Sequence, residues 1–253
     1  MRYLIFTLSL IWLTVGHTQA TTFANLQYLT EEYPPFNYSE QQSVTGISVD
    51  LLLAASKAVG HEVNRSDIKV QPWPRAYRSA LIRPNTVLFA TTRTEAREML
   101  FKWAGPIIQT RIVILAKRSK NIEVNHPMDM AQYRIGVIRD DVGEQLLLGL
   151  GVPRDSMVES SVPQTLAKQF AKDRIDVWAY EENVARWWLK KQGLTSEELQ
   201  VVHILEEGEL YYAFNLSVKD EVVKQLQTGI DRVKVERQAS GLTTYQTIVS
   251  KYF

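Results

Sequence analysis

Residues 86–106 constrain this chain more tightly than any other stretch of it. Thr86-Val87-Leu88-Phe89-Ala90 is an apolar run with the composition and length of a buried strand. It empties into Thr91-Thr92-Arg93-Thr94-Glu95-Ala96-Arg97 and then Phe101-Lys102-Trp103-Ala104-Gly105-Pro106. Thr94 is placed to cap a helix, and Glu95 falls in the first turn, where a negative charge suits the helix dipole. Arg97 follows one turn on. Hydroxyls at a strand end, free amides at a helix start and a planar guanidinium together form an anion receptor that fits a carboxylate. A solvated helix arginine satisfies the same spacing, so spacing leaves both readings open.

The same unit, strand then polar turn then helix, recurs along the chain and predicts an α/β fold. Residues 26–30 alternate as a first strand and run into Glu31-Glu32-Tyr33-Pro34-Pro35-Phe36, whose prolines can continue neither ladder nor helix. A helix is expected from Gly46, with Ser48 as cap, Asp50 in its first turn and Gly60 at its end. Residues 68–71 read as a strand, followed by Pro72-Trp73-Pro74-Arg75 at a helix start. That position is where α/β sheets bind ligands, which makes Trp73 and Arg75 candidates; Trp73 in the core and Arg75 on the surface is the alternative. Residues 110–117 and 133–138 are further strands. The second feeds the turn Arg139-Asp140-Asp141-Val142-Gly143 and a helix over 144–150. Asp141 either caps that helix or meets a cationic group. A helix over 161–173, a buried strand ending at Tyr180-Glu181 and a helix over 184–192 follow. A return strand over 208–215, a helix over 220–239 and a short closing helix complete the chain.

The first twenty of the 253 residues carry one positive charge, an apolar core from Leu4 to Leu13 and the exit Thr18-Gln19-Ala20, the pattern of a secretory signal peptide. The apolar run is too short to span a bilayer comfortably. The chain has no cysteine, which excludes a lipid-modified N-terminal cysteine, disulfides, thiolate metal sites and cysteine nucleophiles. A disulfide-free exported chain fits the periplasm. There are 29 Lys and Arg against 28 Asp and Glu, and Arg2 lies in the expected leader, so the remaining chain is formally neutral and suggests no nucleic-acid partner. No nucleophile–base pair, His cluster or metal-ligand spacing stands out, so neither catalytic residue nor metal or other cofactor is expected.

Thr-x-Thr-x-x-Arg followed by an aromatic-rich strand ending in Gly-Pro resembles bacterial extracellular solute-binding proteins of family 3, the polar amino acid type. Tyr33-x-Pro35-Phe36 and the ending Ser240-Gly241-Leu242-Thr243 through Ile248 and Lys251-Tyr252 extend the resemblance over the mature chain. Phe-Lys-Trp-Ala-Gly-Pro departs from the commoner Asp-Phe-Ser-x-Pro and marks a divergent branch. The resemblance implies a two-lobe, type II-like periplasmic binding fold with two crossover strands as a hinge. Lobe one is expected over residues 21–110 and 209–253, lobe two over 111–208. It further implies that Arg97 and Thr92 hold a ligand α-carboxylate, that Glu181 takes the α-amino group, and that Tyr33 stacks on the side chain, which Trp73, by its strand-end position, is expected to cover as well. Asp140 and Asp141 stand where relatives usually carry Gly-Thr. The expected role is a monomer that captures a small polar solute and delivers it to an inner-membrane ABC permease. The alternatives on this fold are a cyclohexadienyl dehydratase-like enzyme and a sensing module for a membrane receptor.

Overall fold

The computed structural model describes residues 22–253; the expected signal peptide lies outside them. Strand β1 (Gln27–Thr30) leads through the proline loop to a hairpin of β2 (Tyr38–Glu40) and β3 (Ser43–Thr45), then to helix α1 (Ile47–Ala58). Strand β4 (Ile68–Val70), α2 (Trp73–Ile82), β5 (Thr86–Thr92) and the long β6 (Lys102–Lys117) follow. Next come β7 (Ile135–Ile138), α3 (Val142–Gly149), β8 (Met157–Ser160), α4 (Pro163–Ala171), β9 (Val177–Glu181) and α5 (Glu182–Lys190). The long β10 (Leu199–Phe214), α6 (Asp220–Val235) and α7 (Thr244–Val249) close the chain.

The main sheet runs β4-β1-β5-β10-β6-β9-β7-β8. At one end β1 is parallel to β4 and β5, and at the other β7 is parallel to β8 and β9. Between them β10 pairs antiparallel with both β5 and β6, and β6 antiparallel with β9. Two parallel α/β halves therefore share an antiparallel ribbon of two strands, the two-lobe architecture expected from the sequence. Every residue of β5, β7 and β9 is buried, as parallel strands covered on both faces must be. The expected lobe boundary falls on the ribbon where Thr110 pairs with Gly208, and the register shifts on either side of that pair, at Ile204/Glu206 and Leu210/Tyr212.

Several local expectations change. Helix α1 starts at Ile47 with Gly46 as its cap residue at φ 119, and Ser48 is buried inside the first turn instead of capping it. Asp50 ties the C-terminus down: it accepts from Lys251 and the Tyr252 hydroxyl, each at 3.0 Å, and pairs with Arg65. The segment after Thr94 is a 3-10 helix over Glu95–Leu100, without a side-chain bond from Thr94. Helix α6 ends at Val235, short of the expected 239.

Helices α1 and α6 cross at Gly229, where a Cβ would stand 2.1 Å from the Ala55 carbonyl oxygen. Alanine there forces two backbones apart. Gly229→Ala is expected to lower stability by about 1–3 kcal/mol, the usual range for overpacking. Urea unfolding of the two chains measures it, and an unchanged midpoint counts against a tight crossing.

Candidate ligand site in the cleft between the lobes

The carboxyl ends of β1, β5 and β9 and the turn after β7 converge on one buried seam. From the first lobe come Glu31 and Tyr33 after β1, Trp73 and Tyr77 on α2, Thr92 at the end of β5, and Arg97. From the second come Asp141 at the start of α3 and Tyr180 and Glu181 at the end of β9, all buried; Gln145, further along α3, also reaches the seam.

Arg97 is the one buried cation among the described residues, with 1% of its surface exposed. Its Nη1 donates to the Thr92 carbonyl at 3.3 Å and its Nε to Gln145 Oε1 at 3.1 Å. Its guanidinium lies 5.3 Å from the centre of the Trp73 ring and 5.1 Å from that of Tyr77, close enough for cation–π attraction. Nη2 has no hydrogen-bond partner and faces Asp141 Oδ1 across 3.9 Å, while Asp141 Oδ2 is also buried and unpartnered. A fork with one free prong, held on a sheet end and facing the other lobe, is prepared to take a further acceptor.

The second-lobe groups are held as firmly. Glu181 is fully buried, and its carboxylate accepts from Val184 N at 2.8 Å and from Asn183 Nδ2 at 3.1 Å, capping α5. Burial pushes its carboxyl up to about 7, against those hydrogen bonds. Asp141 rises to about 6, again through burial, with Arg97 pulling it down. Asp141 holds the cap position of α3 without a side-chain capping bond; Glu144 instead accepts from Asp140 N at 2.7 Å. The simple capping reading of Asp141 is thereby replaced by a carboxylate aimed at Arg97.

Contacts join the two sides. Trp73 Nε1 donates to the Asp140 carbonyl at 2.9 Å, and Tyr33 meets Tyr180 edge to face at 5.5 Å. With the Arg97–Gln145 bond, these define a closed arrangement. Six of the seven residues singled out in the sequence thus gather here: Tyr33, Trp73, Thr92, Arg97, Asp141 and Glu181. Arg75 does not join them. It is exposed, because one residue past Trp73 and Pro74 on α2 the helix turns its side chain outward. Glu31, Tyr77, Gln145 and Tyr180 were not singled out as ligand-binding candidates. Of these only Glu31, an acid at a strand end two residues before Tyr33, carried a usable signal. Among the described residues no group of three or more His, Asp or Glu could hold a metal ion, and no helix is long and apolar enough to cross a membrane.

A closed cleft across two α/β lobes, with charged groups at strand ends, defines a solute-binding protein. The profile of the bacterial extracellular solute-binding proteins, family 3, matches residues 27–253, and the chain belongs to that family. It is similar to the arginine-binding extracellular protein ArtP of Bacillus subtilis, 22% identical over 201 residues, covering 75% of this chain and 77% of that protein. It is also 22% identical over 225 residues to a probable histidine-binding protein of Campylobacter jejuni, covering 87% of this chain and 81% of the other. Among solved structures, a histidine kinase sensor domain with similarity to periplasmic binding proteins superposes with a TM-score of 0.75 at 17% identity, covering 91% of this chain and 97% of that one.

Proposed function

We propose that this chain captures an amino acid or a related small zwitterion between its lobes in the periplasm and passes it, as a monomer, to an inner-membrane ABC permease. The observation that carries this reading is that Arg97, with its free Nη2, and the buried Glu181 both stand around Tyr33 on one seam. A zwitterion needs one group of each sign at fixed separation. Arg97, with Thr92 beside it, answers the carboxylate, Glu181 answers the ammonium, and Tyr33 and Trp73 cover the remainder. Asp141 sits opposite Arg97 and closes the second lobe over the ligand. We place the lobe boundary at the Thr110–Gly208 pair, so that closure is a bend of the β6–β10 ribbon. The curated relatives' arginine and histidine ligands support an amino acid class.

The experiment is a thermal-shift screen on protein unfolded, freed of carried-over ligand and refolded, against amino acids, opines, dicarboxylates and small peptides. Ligand at ~100 times its Kd adds about 2.7 kcal/mol. A large shift with one amino acid class is expected. A flat response to every zwitterion overturns the reading and sends the buried carboxyls to dehydratase assays. The kinase sensor domain's likeness raises a second partner for the same capture step, a membrane receptor. Co-purification of the liganded chain with a permease or with a receptor separates the two.

A further inference from the structure

Trp73, Arg97, Asp140, Asp141 and Gln145 clasp the two lobes together. The Asp140 carbonyl accepts from Trp73 Nε1 of the first lobe at 2.9 Å and from Gln145 Nε2 of its own lobe at 3.0 Å. Gln145 Oε1 in turn accepts from Arg97 Nε at 3.1 Å, and the Arg97 guanidinium lies against the Trp73 ring, which closes a circuit of contacts across the seam. Asp140 holds φ 60, a left-handed conformation that aspartate tolerates better than most residues, and the turn so formed brings the Asp141 carboxylate to face Arg97.

Within this clasp the Asp141–Arg97 contact is the weak one. Asp141 Oδ1 stands 3.9 Å from Arg97 Nη2, beyond hydrogen-bond range, and among the described residues both Nη2 and Asp141 Oδ2 are buried without a hydrogen-bond partner. Nη2 is also the nitrogen of the fork that is left over, since Nε and Nη1 are taken by Gln145 and Thr92. A ligand carboxylate that docks on Nη2 meets Asp141 at the same prong, and two carboxylates sharing one site repel. The pair attracts enough to draw the lobes together but lacks the hydrogen bond that would lock it, so Asp141 is displaceable. A primary carboxamide meets no such conflict: its oxygen accepts from Nη2 while its N–H donates to Asp141 Oδ2.

We propose that Asp141 is an internal competitor for Arg97: it stands where a ligand carboxylate docks, clasps the lobes before capture, and sets which head groups the site prefers. Capture is then an exchange of one carboxylate for another. The inference rests on the cleft being the capture site and adds to that reading the residue that limits affinity for carboxylates.

Two measurements on the whole chain test it, both made well above the pH of about 6 at which the Asp141 carboxyl titrates. The first is small-angle X-ray scattering of protein freed of ligand. Wild type is expected to scatter as the closed arrangement. Asp141→Ser, which keeps a capping hydroxyl at the start of α3, is expected to shift to a larger radius of gyration. The second is calorimetric titration with L-arginine, L-histidine and their primary α-carboxamides. Freeing Nη2 is expected to tighten both amino acids by roughly tenfold, the lower end for a hydrogen bond to a charged group, and to leave the carboxamides unchanged or weaker. Asp141→Asn keeps the shape and removes the charge, and is expected to move both readouts the same way by less. An open wild type, or a radius that neither variant changes, overturns the clasp and the proposal with it. Amino acid affinity that is equal in wild type and both variants, or that falls in the variants, overturns the competition and leaves amino acid capture standing. No binding of any of these compounds by any of the chains overturns the competition and the capture reading together.

Discussion

Arg97→Ala is expected to fold and to lose ligand capture outright. The side chain is buried on the first lobe where it faces the second, held by one backbone carbonyl, one amide and two aromatic faces, so its removal does not open a strand or unpair a helix. What it removes is the cation that faces Asp141 and that, in the proposed function, answers the ligand carboxylate. Truncating one partner of a buried charge pair costs about 3–5 kcal/mol, because the other charge stays buried and unanswered. On the affinity scale that is roughly two to three orders of magnitude or more. Arg97→Lys separates charge from shape. Lysine restores the charge as a point but cannot span a carboxylate bidentately while stacking beside Trp73 and Tyr77, so it is expected to recover only part of the loss. Titration with the amino acid that gives the largest thermal shift measures all three chains. If Arg97→Ala binds within threefold of wild type, the carboxylate belongs elsewhere.

The second large effect is a dependence of stability on pH that Glu181 imposes. Its folded carboxyl titrates at about 7, above an ordinary glutamate, because burial penalises its charge. Between roughly pH 4 and 7 the folded chain therefore holds a proton that the unfolded chain has released. Stability contributed this way is present at low pH and is lost as pH rises through about 7; Asp141 adds a loss of the same sign that ends near 6. Glu181→Gln removes the larger part while keeping an amide oxygen to cap α5. The stability of the variant relative to wild type is expected to rise from pH 4 to 8 by on the order of 3 kcal/mol. Urea unfolding of the unliganded chains at four pH values reads it out, and a gap that does not change with pH contradicts a buried, reluctant acid. A ligand ammonium beside Glu181 reverses the slope in wild type, since it favours the ionised carboxylate, so affinity should improve with pH across the same window.

Most of this architecture was legible where one physical cause acted alone. The strand at residues 86–90 and the strand ending at Glu181 show as apolar runs because parallel strands are covered on both faces, and both are wholly buried. Their ends then place Thr92 and Glu181 without further information. The proline loop led to Tyr33 for a similar reason. Long-range pairing was far less visible. The ribbon strands β6 and β10 run sixteen residues each, yet the sequence suggested only parts of them, since their lower stretches alternate irregularly around register shifts. Helix rotation was invisible as well: Arg75 lies two positions after Trp73, and α2 buries the first and exposes the second. Asp141 was legible as an acid in a turn. Its opposition to Arg97 exists only after the lobes close, and no local pattern encodes that.

The place of β10 in the sheet also sets an order of assembly. It is the last strand in the chain, yet it lies between β5 and β6 in the middle of the sheet. Strands β1, β4 and β5 therefore wait with an open edge until residues 210–214 arrive from more than a hundred positions downstream. The β7–β9 end closes against β6 with segments already at hand. Contacts of short separation are expected to form first, and the long loop that β10 must close makes its insertion the expected late step. Until then the strand end that presents Thr92 has no neighbour on one side. The proposed ligand site is therefore expected to be completed late, by the strand that also joins the two lobes.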